Sequence, residues 1–164
     1  MLALTRKTDY ALVAMVALAE AGAAPRSARD LADALRLPAA ALRNILKDLA
    51  RAGLLESTQG ASGGYRLAQP AREVALVSIV RAIEGPVRLT PCCSDQTAPG
   101  EDGCRREDAC RIKAVVRGLN DRLAGFFAET TLADLAAASA DQAPAGRRPQ
   151  SRLTPLTPTR SALA

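Results

Sequence analysis

Apolar and polar positions follow one another along most of this chain with a helical rather than a strand-like period. Leu12, Met15, Val16 and Ala19 recur at three- and four-residue steps. They predict an amphipathic helix over 8–21, with Thr8 as its N-cap and Gly22 and Pro25 near its end. Ser27, with Asp30 three positions on, predicts a short helix through Leu35, and Arg36-Leu37-Pro38 breaks it. Pro38 suits the first turn of a third helix over 38–52, because its missing N–H removes no intrahelical bond there. Gly53 permits the left-handed ending. Two short apolar-polar stretches, 54–58 and 65–68, flank Gly60-Ala61-Ser62-Gly63-Gly64 and read as a hairpin. A fourth helix over 76–83 stops near Gly85 and Pro86.

After a loop rich in Pro, Gly, Asp and Cys, the residues Ile112, Val115, Val116, Leu119, Leu123, Phe126 and Phe127 describe a long helix with one apolar stripe. No later segment offers that stripe a partner, so it predicts dimerisation. Thr131 and Asp134 open a last short helix to about Ala138. Beyond Asp141 the chain carries Pro, Arg, Ser and Thr with few large apolar groups, the pattern of a disordered basic tail.

Two helices joined by a tight break and followed by a hairpin are the parts of a winged helix-turn-helix. The fold class expected is therefore mainly α, with a small β-hairpin wing and a long C-terminal dimerisation helix. The organisation expected is a winged-helix unit over 1–85, a cysteine-rich loop over 86–110, the dimerisation helix with a short terminal helix over 111–140, and the tail over 141–164.

Composition narrows this picture modestly. A chain of 164 residues has room for one compact domain and an arm, and few aromatics among many alanines and leucines suit aliphatic helix packing. The formal charge of +5 permits an anionic partner without demanding one. Arg6 and Lys7 before an apolar run superficially resemble a secretory signal. Asp9 at the mouth of that run, Glu20 at its close and its helical period argue against export and against a membrane span. The expected location is then cytoplasmic, where cysteines serve as metal ligands or redox groups rather than structural disulfides.

In the third helix, Leu42, Ile45, Leu46 and Leu49 must face the core. Arg43, Lys47 and Arg51 then line the opposite side at four-residue steps with Asn44 beside them, offering cations to phosphates and an amide to a base edge. Ala39 and Ala40 can supply only backbone and methyl contacts, Ser27 opens the preceding helix, and Gln59, Ser62 and Arg66 belong to the wing. Together these are the candidate contacts to double-stranded DNA, with groove shape adding to a sparse direct reading. Gly63 and Gly64 either form a turn or let the wing backbone approach another surface closely.

Cys92, Cys93, Cys104 and Cys110 crowd one loop, and five residues separate the last two. Thiolates are soft donors suited to iron-sulfur clusters or zinc. With no histidine in the chain and no pair at the usual zinc spacing, zinc falls behind. Adjacent Cys92 and Cys93 do not both bind comfortably, which leaves three thiolates and a fourth position for another group.

The opening "LTRKTDYAL", the wing "GASGGYRLA", the helix end "IVRAIEGPV", the loop "C…GCRREDAC" and the later "LAGFF…TLADL" resemble the IscR/NsrR family of iron-sulfur winged-helix regulators over about residues 1–138. That resemblance implies a homodimeric repressor on a palindromic operator, holding a 4Fe-4S or 2Fe-2S cluster on Cys92 or Cys93 with Cys104 and Cys110. In IscR-like members a histidine follows the last cysteine by three residues, and Lys113 stands there, which excludes that ligand. In NsrR-like members an aspartate of the first helix binds the partner subunit's cluster, and Asp9 matches it. A carboxylate there also suits the helix N-terminus. Glu107 is a lesser oxygen donor. Family members often carry an arginine before the wing glycine, where this chain has Gln59.

Two rivals stand beside a cluster-controlled regulator. One is a metal-free winged-helix regulator switching through a Cys104–Cys110 disulfide. The other uses the winged unit to bind protein. No enzyme is expected, since histidines, paired catalytic carboxylates and a phosphate loop are all missing from the sequence.

Overall fold

The computed structural model describes residues 4–60, 63–90, 93 and 110–140. Six α-helices and one hairpin occur among them, in the order α1 (Arg6–Ala21), α2 (Ala28–Leu35), α3 (Ala39–Arg51), β1 (Leu55–Thr58), β2 (Gly64–Leu67), α4 (Leu76–Glu84), α5 (Lys113–Glu129) and α6 (Leu132–Ala140), with a single 3-10 turn at Ala71–Glu73 before α4. Ser62, Cys92, Cys104, Glu107 and the tail from Asp141 onward lie outside the described residues.

Helix α1 starts at Arg6 rather than Thr8, and its N-cap is Thr5, whose hydroxyl accepts the Thr8 N–H at 3.3 Å. Both threonines can cap, and packing decides between them. Thr8 shares a helix face with Ala11 and Met15, is fully buried with them, and gives its hydroxyl to Glu84 instead. Ser27 does cap α2, accepting the Asp30 N–H at 3.1 Å, and Arg36 takes the left-handed conformation that ends it. Pro38 precedes the first turn of α3, and Gly53 follows its end at φ 74°.

The core is one cluster. Ala11, Ala14, Met15 and Leu18 of α1 meet Leu31 and Ala32 of α2, Leu42, Ile45, Leu46 and Leu49 of α3, and Ile79 of α4. Each fully buried leucine stabilises the fold by roughly 1.5–3 kcal/mol through removal from water. That burial fixes the rotation of α3 about its axis, leaving Arg43, Asn44, Lys47 and Arg51 exposed.

β1 and β2 pair antiparallel from Leu55 opposite Leu67 to Thr58 opposite Gly64. Gly63 completes the turn, its N–H donating to the Gly60 carbonyl at 2.9 Å. Gly64 is where the backbone comes close to another surface, and that surface belongs to the same chain. Arg26 and Tyr65 exchange two backbone hydrogen bonds, of 2.9 and 2.8 Å, adding the α1–α2 connection to the hairpin as a third extended segment. A Cβ on Gly64 would stand 2.4 Å from the Arg26 carbonyl oxygen. Gly64→Ala is therefore expected to break this attachment and lower stability by about 1–3 kcal/mol, measured by urea unfolding.

Helix α6 returns the chain to the core. Thr131 and Asp134 cap each other, with the Thr131 N–H donating to Asp134 Oδ2 at 2.8 Å and the Asp134 N–H donating to Thr131 Oγ1 at 3.2 Å. The two Thr131 donors hold the Asp134 carboxyl below its usual range. The Leu132 N–H donates to the Val74 carbonyl and the Leu76 N–H to the Thr130 carbonyl, both at 2.8 Å, and Leu132 is wholly buried.

The apolar stripe of α5 divides into two edges. Val116, Leu123 and Phe127 are half-buried, and beside them Asn120 is buried, its Oδ1 accepting the Leu89 N–H at 3.0 Å. Ile112, Val115, Leu119 and Phe126 are more than half exposed, with Ile112, Leu119 and Phe126 at seven-residue steps. Among the described residues no helix is long and apolar enough to cross a membrane.

Candidate nucleic-acid interface and cysteine segment

The surface of α3 is built by subtraction. Once four aliphatic residues enter the core, Arg43, Asn44, Lys47 and Arg51 remain outside, with Ala39 and Ala40 exposed at the helix start. Neither Arg43 nor Lys47 has a hydrogen-bonding or ion-pair partner for its side chain among the described residues, so both charges are available to an external anion. Arg51 differs, because its NH1 lies 3.1 Å from Asp48 Oδ1.

Asp48 also accepts from Lys7 Nζ at 2.8 Å, which joins α3 to the first turn of α1 across 41 positions of sequence. The Lys7 hydrogen bond, reinforced by the Lys7 and Arg51 charges, holds the Asp48 carboxyl below the usual range. This pair was not legible in the sequence. An Asp between two cations reads as a solvated helix edge, and nothing local names Lys7 as its partner.

In the wing, Gln59 is exposed at the tip side and Arg66 is exposed but engaged, with NH2 2.6 Å from Glu56 Oε2 across the strand pair. Ser27 is half-buried and its hydroxyl is occupied as a cap. Arg26 is exposed beside Ser27 and was not among the sequence candidates. The clue was the glycine pair, whose missing side chains marked a close approach without naming Arg26.

Two of the four cysteines are described, and both lie beside α5. Cys110 is half-buried one turn before it, with its carbonyl accepting the Lys113 N–H at 3.4 Å. Cys93 is half-buried, with Sγ 3.3 Å from Thr90 Oγ1 and 3.9 Å from the Val116 carbonyl. Both are free thiols. Asp9 sits in the first turn of α1, exposed, with no hydrogen-bond or ion-pair partner for its carboxylate among the described residues. No cluster of three or more ligating side chains forms among the described residues.

Thr5 and Thr8 both donate to Glu84 Oε1 at the C-terminal end of α4, and these hydroxyls hold the Glu84 carboxyl below its usual range. An open cavity of about 510 Å³ lies beside it, between α4, the 85–89 segment and α5, lined among others by Leu4, Val80, Leu123 and Phe127.

Comparison with known proteins agrees with this arrangement. An rrf2-like HTH-type transcriptional regulator of Rhodobacter capsulatus is 37% identical over 121 residues, covering 68% of this chain and 77% of that protein. The HTH-type transcriptional regulator IscR of Escherichia coli is 33% identical over 135 residues, covering 80% of this chain and 78% of that protein. Among solved structures, CymR, the global cysteine regulator of B. subtilis, aligns with a TM-score of 0.58 at 31% identity over 84% of this chain and 98% of that one. IscR of T. potens aligns with a TM-score of 0.65 at 24% identity over 88% and 94% of the two chains, a likeness of fold. Residues 4–138 match the Rrf2 family, described as iron-dependent transcriptional regulators. With its winged helix, its hairpin and its long penultimate helix, the chain belongs to the Rrf2 family of DNA-binding transcriptional regulators.

Proposed function

We propose that this regulator acts as a homodimeric repressor on a palindromic operator, and that its affinity is set by an iron-sulfur cluster held on the cysteine segment. Arg43, Asn44 and Lys47 of α3 enter the major groove, Ala39 and Ala40 approach its floor, and Arg51, Ser27, Gln59, Ser62 and Arg66 flank them. The exposed edge of α5 pairs with its counterpart in the second subunit, because apolar residues at seven-residue steps form a seam that water does not favour. A two-fold pair of reading helices then meets half-sites about one turn of DNA apart.

One observation carries the cluster assignment: Cys93 and Cys110 both stand, unbridged and half-buried, against the beginning of α5 in a chain that has no histidine. This donor set fits the group. Soft thiolates suit iron and sulfide, the Thr90 hydroxyl is within hydrogen-bonding reach of Cys93, and a helix N-terminus bearing Arg111 and Lys113 favours an anionic site. Cys92 or Cys93 would hold it with Cys104 and Cys110, and Asp9 of the opposite subunit would complete the set. When bound, the group supplies a redox-active, nitric oxide-reactive iron centre. The chain's own residues do the rest: Thr90 orients a thiol, α5 anchors both cysteines, and Asp9 presents an uncommitted carboxylate.

A second reading, a thiol-disulfide switch between Cys104 and Cys110, gains support from the likeness to the cysteine regulator CymR, whose Staphylococcus aureus counterpart is known in an oxidized form. Anaerobic reconstitution separates the two. The wild-type protein is expected to take up iron and acid-labile sulfide and turn brown. Cys110→Ser is expected to take up almost none, and Asp9→Ala to lose its iron faster. Colourless protein that forms a Cys104–Cys110 bridge on a non-reducing gel favours the switch.

A further inference from the structure

The first turn of α1 sends three consecutive side chains in three directions, because neighbours on a helix are rotated by about 100°. Lys7 reaches sideways to Asp48 of α3. Thr8 turns inward and, with Thr5, donates to Glu84. Asp9 faces out. One helical turn thus ties α3 to the end of α4, the point from which the chain leaves toward the cysteines.

Asp48 is an odd residue for a surface that meets phosphates, since it brings negative charge among Arg43, Lys47 and Arg51. Electrostatic attraction alone would favour its absence. Its carboxylate is only about a quarter exposed and is shared between Lys7 and Arg51, at 2.8 and 3.1 Å. A group that weakens attraction yet is held on two sides is better explained by geometry than by charge.

We infer that Lys7 and Asp48 are positioning residues for DNA recognition: their ion pair holds α3 in register on the first turn of α1, so that α3 meets its own sequence better than random DNA. The inference rests on α3 being the reading helix.

The test compares the wild-type full-length protein with Lys7→Met, Asp48→Asn, the double variant and Lys7→Arg. Each is titrated with a duplex selected from a random pool by the wild-type protein, and with an unselected duplex of equal length, at several salt concentrations. Positioning predicts that both single variants lower the ratio of selected to unselected affinity by about three- to fivefold, in keeping with a partly exposed pair. The double variant should lose no more than either single one, and Lys7→Arg should keep the wild-type ratio. Charge alone predicts the opposite: Lys7→Met binds both duplexes more weakly, Asp48→Asn binds both more tightly, and the ratio stays put. That result, or unchanged affinities throughout, overturns the inference. If Asp48→Asn does not fold, the Lys7→Met and Lys7→Arg ratios still decide. Should the wild-type protein select no duplex, the assignment of α3 as the reading helix fails instead.

Discussion

Leu119→Glu is expected to turn the proposed dimer into a monomer and to weaken operator binding by at least about a hundredfold, because a second half-site then no longer binds as an intramolecular event. Leu119 is 51% exposed and belongs to the edge of α5 formed by Ile112, Val115 and Phe126. In a symmetric pair, one glutamate becomes two facing charges within an apolar seam, where each lacks a partner and must be desolvated. The monomer itself should be little affected, since substitutions at exposed positions usually change stability by no more than about 0.5 kcal/mol. Sedimentation, thermal unfolding and operator titration on one preparation check the three parts. A dimer that persists with full affinity would move the subunit contact away from this edge.

Leu132→Ala should destabilise the protein by about 2–5 kcal/mol, as expected for removing most of a fully buried leucine from a tight core. The site has little freedom to collapse. Its backbone N–H is tied to the Val74 carbonyl, Thr130 two residues before it is tied to Leu76, and the core residues around it come from several helices. Urea unfolding with an unchanged m-value and a midpoint shifted down by that amount would show that α6 is part of the cooperative unit. A loss under about 1 kcal/mol would mean that α6 frays independently of the winged unit. The effect matters for regulation, because α6 directly follows α5 and therefore links the exposed α5 edge to the core beneath α3.

Much of this architecture follows from local pattern. The three- and four-residue spacing of Leu42, Ile45, Leu46 and Leu49 required a helix with a buried side, and so determined which of its residues would be left for a partner. Ser27, Gly53, and Thr131 with Asp134 marked real helix ends, because capping depends on groups within a few residues of each other. The crowding of cysteines and the want of histidine pointed toward thiolate chemistry without any coordinates.

Other features needed the packed chain. Thr8 resembled a cap by its neighbours, and only contact with Glu84, 76 positions away, made it a buried hydroxyl while Thr5 took the cap. The glycine pair left a turn and a close approach both open, and tertiary structure gave Gly63 the turn and Gly64 the approach, with Arg26 as the surface met. The long stripe of α5 had one period and two fates, one edge half-buried against its own chain and one left exposed. Periodicity specifies a helix and its apolar side because both arise from neighbours in sequence, whereas the partner of a side chain depends on which distant segments the core draws together.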